Sequence, residues 1–129
     1  MKRILIIVLL CFTFVSCATT NTHTNEQIVH IVLVWLKEQG NQQHIDQIIE
    51  ATKQLKEIVE LKKLNVGKSI PSDRKIVDDS FDIGIYMTFS SVEDMQSYLS
   101  HPKHKRAVHS VFRPLAANIV VYDFTDQTN

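Results

Sequence analysis

Apolar residues change their spacing several times along this chain, and each change marks an element. Residues 29–36 are rich in β-formers, with His30, Val32, Val34 and Leu36 on one parity and Val29, Ile31, Leu33 and Trp35 on the other. A strand that is apolar on both faces has to be covered on both sides. Gly40-Asn41 then breaks the pattern, and Asn41 is a candidate N-cap. Beyond it Ile45, Ile48, Ile49, Thr52, Leu55 and Val59 recur at three- and four-residue spacing, while Asp46, Glu50, Lys53, Lys56, Glu57 and Glu60 mark a wet side. That spacing predicts an amphipathic helix over 42–61.

Leu64 and Val66 predict a second strand over 63–69, and the polar stretch 71–80 reads as a loop. A third strand is expected over 81–89, with Phe81, Ile83, Ile85, Met87 and Phe89 on one face. Ser90 or Ser91 opens a short helix whose first turn carries Glu93 and Asp94, where the helix dipole favours acids. That helix presents Val92, Met95 and Leu99 and ends near Ser100. Pro102 suits the first turn of a further helix, expected to run to Phe112 and to break at Arg113-Pro114. The last strand is expected over 119–125. The order is β-α-β-β-α-β with the second helix split, an α+β, ferredoxin-like arrangement in which an antiparallel sheet carries helices on one face. A chain this short supplies helices for one face only. The second apolar face of the first strand therefore calls for another sheet, most simply that of a second copy, and a homodimer is expected.

The 129 residues fit one domain with a modest core. Composition is that of an ordinary globular protein, 44% hydrophobic and 22% charged, and the formal net charge is zero. The densest basic run, Lys103, Lys105 and Arg106, is too short for a phosphate-binding surface, so nucleic acid is not an expected partner. The N-terminus changes the picture more. Lys2 and Arg3 precede an apolar run over 4–14 that is short for a bilayer span, and the run ends at Phe14-Val15-Ser16-Cys17. This resembles a bacterial lipobox, in which a small residue precedes a cysteine that is lipidated and becomes the new N-terminus. Cys11, after Leu10, is the poorer candidate. Residues 1–16 are read as a lipoprotein signal, 17–26 as a flexible polar tether containing His23, 27–125 as the domain and 126–129 as a tail. Cleavage before Cys17 removes two of the 14 basic residues and no acid, leaving an acidic excess of two. Cys17 would carry the lipid, so no intrachain disulfide is expected. The expected location is the bacterial envelope. Ala18 after Cys17 favours the outer membrane where the host has one.

The chemistry concentrates in Tyr98-Leu99-Ser100-His101-Pro102-Lys103-His104. An imidazole, with an ordinary pKa of about 6.5, is the side chain best suited to move protons near neutral pH. A neighbouring phenol can donate a hydrogen bond to a developing oxyanion. Asp123 sits on an otherwise apolar strand, where a carboxylate needs a partner; His104 and His30 are both candidates.

Taken in order, His30-Ile31-Val32-Leu33, Val66-Gly67-Lys68, Thr88-Phe89-Ser90-Ser91-Val92-Glu93, Tyr98, His101-Pro102-Lys103-His104 and Val121-Tyr122-Asp123-Phe124 resemble the stress-responsive α/β-barrel, or Dabb, domain. The resemblance spans roughly residues 27–125. It implies a dimer whose two sheets pack face to face with the helices outside. It also implies a pocket between sheet and helices, for which Val32, Ile83, Ile85 and Phe89 are candidate lining residues. In the plant olivetolic acid cyclase of that family a His acts as acid and base and a Tyr assists in an aldol closure. The positions that match are His104 and Tyr98, with His30 and Asp123 matching a further His and Asp. Another pocket His of that enzyme falls on Ile83 here, a departure from its set. The resemblance therefore implies binding of a small apolar or polyketide-like compound, with His104 and Tyr98 as candidate catalytic groups and His30 and Asp123 as support.

The competing classes are a non-catalytic envelope stress or interaction module and a monooxygenase of the antibiotic-biosynthesis type built on the same dimeric barrel. His101, before Pro102, is a candidate helix cap, and His44 and His109 read as surface residues. No metal site is expected, because His101, His104 and His109 lack a known ligand spacing. No cofactor is expected either.

Overall fold

A computed structural model describes residues 26–128. The lipobox with Cys17, and also Cys11 and His23, lie outside the described residues. The elements run β1 (Ile28–Leu36), α1 (Gln42–Gln54), β2 (Leu61–Lys68), β3 (Ile83–Phe89), α2 (Val92–Ser100), α3 (Pro102–Ala107), α4 (Arg113–Leu115) and β4 (Ala116–Thr125). A 3-10 turn, Leu55–Glu57, extends α1, and a π-helical turn, Val108–Phe112, joins α3 to α4. The sheet order is β2-β3-β1-β4 with every neighbouring pair antiparallel. This is the expected ferredoxin-like fold. Among the described residues no helix is long and apolar enough to cross a membrane.

The alternation in β1 sorts the two faces of the sheet. His30, Val32, Val34 and Leu36 are buried on the helix side together with Ile83, Ile85, Met87 and Phe89 of β3. Ile45, Ile48 and Leu55 of α1 and its extension, Tyr98 of α2 and Phe112 close over them. Fully burying one such side chain contributes about 1.5–3 kcal/mol, so this single layer holds most of the driving force. Thr52, also on that helix face, donates its hydroxyl to the Ile48 carbonyl at 2.7 Å and so enters the core satisfied. The other sheet face carries Ile31, Leu33 and Trp35, which are half-buried, and Tyr122 and Phe124, which are 54% and 50% exposed. The described chain thus covers one apolar face of β1 fully and the other in part: Val29 is buried, Ile31, Leu33 and Trp35 are half-buried, and the neighbouring Tyr122 and Phe124 of β4 are exposed.

Local capping explains the helix starts. The Asn41 side chain accepts from the His44 N–H, Ser91 from the Asp94 N–H, and the His101 ring from the Lys103 N–H. The Asn41 and His101 caps were expected, and Ser91 rather than Ser90 takes the third.

Four expectations need correction. The first helix stops at Glu57 rather than at residue 61, because Ile58 takes an extended conformation. Ile58 is thereby buried, and Val59, expected on the core face, is 85% exposed. Phe81 does not share a face with Ile83. It precedes the strand, and its ring lies with Trp35, Leu33 and Gly84 on the open side. Arg113-Pro114 does not end the last helix, which continues to Leu115. Proline lacks an N–H and clashes with the carbonyl four residues back. The π turn absorbs both effects, since the Arg113 N–H reaches back five residues to the Val108 carbonyl. Helical structure then ends where the Lys37 ammonium binds the terminal carbonyls of Arg113 and Pro114, at 3.4 and 2.7 Å. β4 consequently begins at Ala116 rather than at residue 119. Last, His44 is half-buried and its Nδ1 lacks a hydrogen-bond partner, where a surface residue was expected.

Asp82 is the residue that sequence patterning overlooked. It is buried, and its two carboxylate oxygens accept from the Leu36 N–H at 2.8 Å and the Gly40 N–H at 2.7 Å. These bonds hold the turn from β1 into α1, where Gly40 adopts φ 72°, a conformation that glycine takes without steric cost. Replacing Asp82 with Ala leaves two backbone donors unpaired and should destabilise the domain by about 2–4 kcal/mol in urea unfolding. A change within error would show that water replaces the carboxylate.

Candidate functional site

The helix-facing side of the sheet positions the candidate groups. β1 places His30 opposite Asp123 of β4 in the antiparallel register. Their Nδ1 and Oδ1 atoms lie 2.5 Å apart, so of the two candidate partners for Asp123 it is His30 that pairs with it. A carboxylate can only accept, so the His30 Nδ1–H donates. The His30 side chain is buried, and that of Asp123 is 44% exposed.

A file of rings leads from this pair to the α2–α3 corner. His30 meets Phe89 edge-on at 6.3 Å, Phe89 lies 5.1 Å from Tyr98, and Tyr98 lies 4.8 Å from His104. Pro102 starts α3 immediately after His101, and this turns His104 back over the end of α2. There its Nδ1 donates to the Leu99 carbonyl at 3.0 Å. The bond fixes the tautomer and leaves Nε2 unprotonated when the ring is neutral.

Burial lowers the His104 pKa below the usual histidine value. The Leu99 carbonyl opposes the shift, and the charges of His30, His101 and Lys105 add to it. Burial also pushes the Tyr98 phenol well above its ordinary range. Near neutral pH the corner therefore holds a neutral imidazole with a free lone pair beside a phenol that keeps its proton. Such a pair can remove a proton from carbon or oxygen and can donate to an oxyanion.

The structure brings His30, Asp123, Tyr98 and His104 together. Val32, Ile83, Ile85 and Phe89, the expected lining, are close-packed core residues. A cleft of about 690 Å³ lies elsewhere, between the end of α1 and the α3–π segment. At the β4 edge Asp123 and Val121, whose register partners are His30 and Val32, share the helix side and remain exposed. His101 acts as a cap and His109 is exposed. Among the described residues no group of three or more His, Cys, Asp or Glu side chains is placed to hold a metal ion.

His104 sets a pH dependence. Its folded-state pKa is depressed, so its contribution to stability is intact above the unfolded value of about 6.5 and is lost as pH falls toward the folded value. An NMR titration should give a His104 midpoint below the ordinary histidine value of about 6.5. A midpoint at that value would mean that solvent reaches the His104 ring freely.

The stress responsive A/B barrel domain model, Dabb, matches residues 28–126. Comparison with curated proteins gives no match. Among solved structures, the chain is similar to a hydroxynitrile lyase from Passiflora edulis, with 28% identity over 81% of this chain and 97% of that one and a TM-score of 0.70. It is similar in fold to a Dabb family protein with a ferredoxin-like fold from Mesorhizobium loti, at 20% identity, 78% and 97% coverage and a TM-score of 0.65. A dimeric ferredoxin-like protein of unknown function from Thermobifida fusca matches at 22% identity, 80% and 93% coverage and a TM-score of 0.64. With the family model spanning the whole sheet and its helices, this chain belongs to the Dabb, or stress responsive A/B barrel domain, family.

Proposed function

We propose that this protein is a lipid-anchored homodimer that binds a small apolar or polyketide-like carbonyl compound at the β4 edge and performs His/Tyr acid–base chemistry on it. The observation that carries this reading is the His104 ring. Its Nδ1 is committed to the Leu99 carbonyl, its Nε2 is free, and burial favours its neutral form. His104 Nε2 takes a proton from the carbon next to a carbonyl, or from a hydroxyl on the carbon that becomes one. Tyr98 donates to the oxygen on which charge develops, and Asp123 orients His30 beside them. In aldol closure the new carbon–carbon bond turns the acceptor carbonyl oxygen into the alkoxide that Tyr98 binds; in cyanohydrin cleavage His104 takes the hydroxyl proton as the C–CN bond breaks, and cyanide leaves with the electron pair and takes up that proton as HCN. The similarity to a hydroxynitrile lyase supports this class of chemistry.

The test is deuterium uptake at the α-carbon of a panel of small alkyl aryl ketones and β-dicarbonyls. His104→Ala should lower catalysed uptake by about 10²–10⁴-fold with the fold retained. Tyr98→Phe keeps the ring packing and should cost less. Full activity in His104→Ala sinks the mechanism. The close packing of Val32, Ile83, Ile85 and Phe89 favours a second reading, a non-catalytic envelope module. Under that reading no compound exchanges above background and none moves the His104 titration.

The dimer reading rests on the open face of Ile31, Leu33, Trp35, Tyr122 and Phe124, since large apolar patches on monomers are uncommon. It also agrees with the dimeric description of a structure of the same fold. Anchoring rests on Ser16-Cys17 after the apolar run; attached acyl chains add about 0.8 kcal/mol per buried CH₂. Labelled palmitate should enter the natural chain and not the Cys17→Ser chain, while the chain starting at Ala18 should sediment as a dimer and become a monomer on adding Tyr122→Lys. Label retained in Cys17→Ser would refute lipidation at Cys17, and a monomer before the Tyr122 change would refute the dimer.

A further inference from the structure

The cleft between α1 and the α3–π segment lies on the helix layer; Lys103, Arg106 and Ala107 of α3 line it, and His104 of the same helix does not. Face-to-face packing of two sheets leaves it accessible. Its volume of about 690 Å³ is that of a small-molecule site. A second hollow of about 440 Å³ continues it along the same two helices, sharing Ala51, Gln54, Ser110 and Val111.

The lining has two characters. Ala51, Leu55, Ala107 and Val111 supply apolar walls, and the small side chains among them keep the space open. At one end stand Glu57, Lys103 and Arg106. The Glu57 carboxylate is bound by the Lys103 ammonium. Arg106 forms no ion pair among the described residues. The mouth therefore carries one uncompensated positive charge, on the side chain best shaped for two-point contact with a carboxylate or phosphate. Gln54 and Ser110 add neutral polar groups near it. The π turn that accommodates Pro114 forms this wall and carries both Ser110 and Val111.

We infer that this cleft is a second ligand site, taking a small organic anion with an apolar tail. Its anionic head meets Arg106, and its tail lies along Leu55 and Val111. The site is separate from the acid–base cluster and does not depend on the reaction proposed there.

The test uses full-length protein and hexanoate as the probe, read on the methyl resonances of Leu55 and Val111. Hexan-1-ol supplies the tail without the charge, and acetate the charge without the tail. Hexanoate should give a saturable shift, with each partial ligand at least about tenfold weaker. Arg106→Gln, an exposed substitution, should weaken hexanoate by about tenfold and leave hexan-1-ol unchanged. Ser110→Leu, also exposed, should block both long-chain probes by filling the cleft, with the His104 titration unmoved as a control for folding. The inference is overturned if hexanoate gives no saturable shift, if hexan-1-ol binds as well as hexanoate, or if hexanoate affinity survives both substitutions.

Discussion

The antiparallel pairing of β1 with β3 on one side and β4 on the other is the constraint on which the rest of the structure depends. One strand supplies core residues on its even parity and an open apolar surface on its odd parity. It also places His30 opposite Asp123. A slip of one residue would exchange all three assignments, because side chains alternate with a period of two. Val34 is fully buried on the helix side opposite Ile83, and a slip of β1 would bring it to the other face at a cost of about 1.5–3 kcal/mol for that side chain alone. The hydrophobic layer thereby sets the register, and the register sets the histidine–aspartate pair.

The candidate site is assembled from parts with distinct structural origins. The His30–Asp123 pair is a product of sheet register. Tyr98 is a core residue of α2 that joins the ring file through Phe89. His104 is placed by the corner at His101-Pro102, where an imidazole cap and a proline reverse the chain within two residues. Each histidine has its Nδ1 committed, one to a carboxylate and one to a backbone carbonyl.

The C-terminal helical stretch shows one local feature serving several ends. Pro114 obliges the helix to widen into a π turn. That turn carries Phe112 into the core and sets Ser110 and Val111 along the outer cleft. Lys37 closes the stretch by binding its last carbonyls, which ties the end of the helix to the end of β1. Asp82 performs the matching task at the start of α1. Two charged residues near the end of β1 thus secure the turns on either side of it.

Sequence by itself determined the order of the elements, the α+β class, the two-faced character of β1 and the caps at Asn41 and His101. These are local or periodic properties, legible from spacing and from side chains that bond within three residues. It also singled out Tyr98, His104, His30 and Asp123, through motifs whose order resembles a family. Only the tertiary structure decided which partner Asp123 takes, since that choice is made across 93 residues of chain. The tertiary structure likewise moved Phe81 to the open face, ended α1 before Val59 and carried the last helix through Pro114. In each case a bend or a widened turn broke the period that the pattern assumed. The cleft beside Arg106 was hidden for the same reason: its walls come from helices far apart in sequence, and no spacing rule joins Leu55 to Val111.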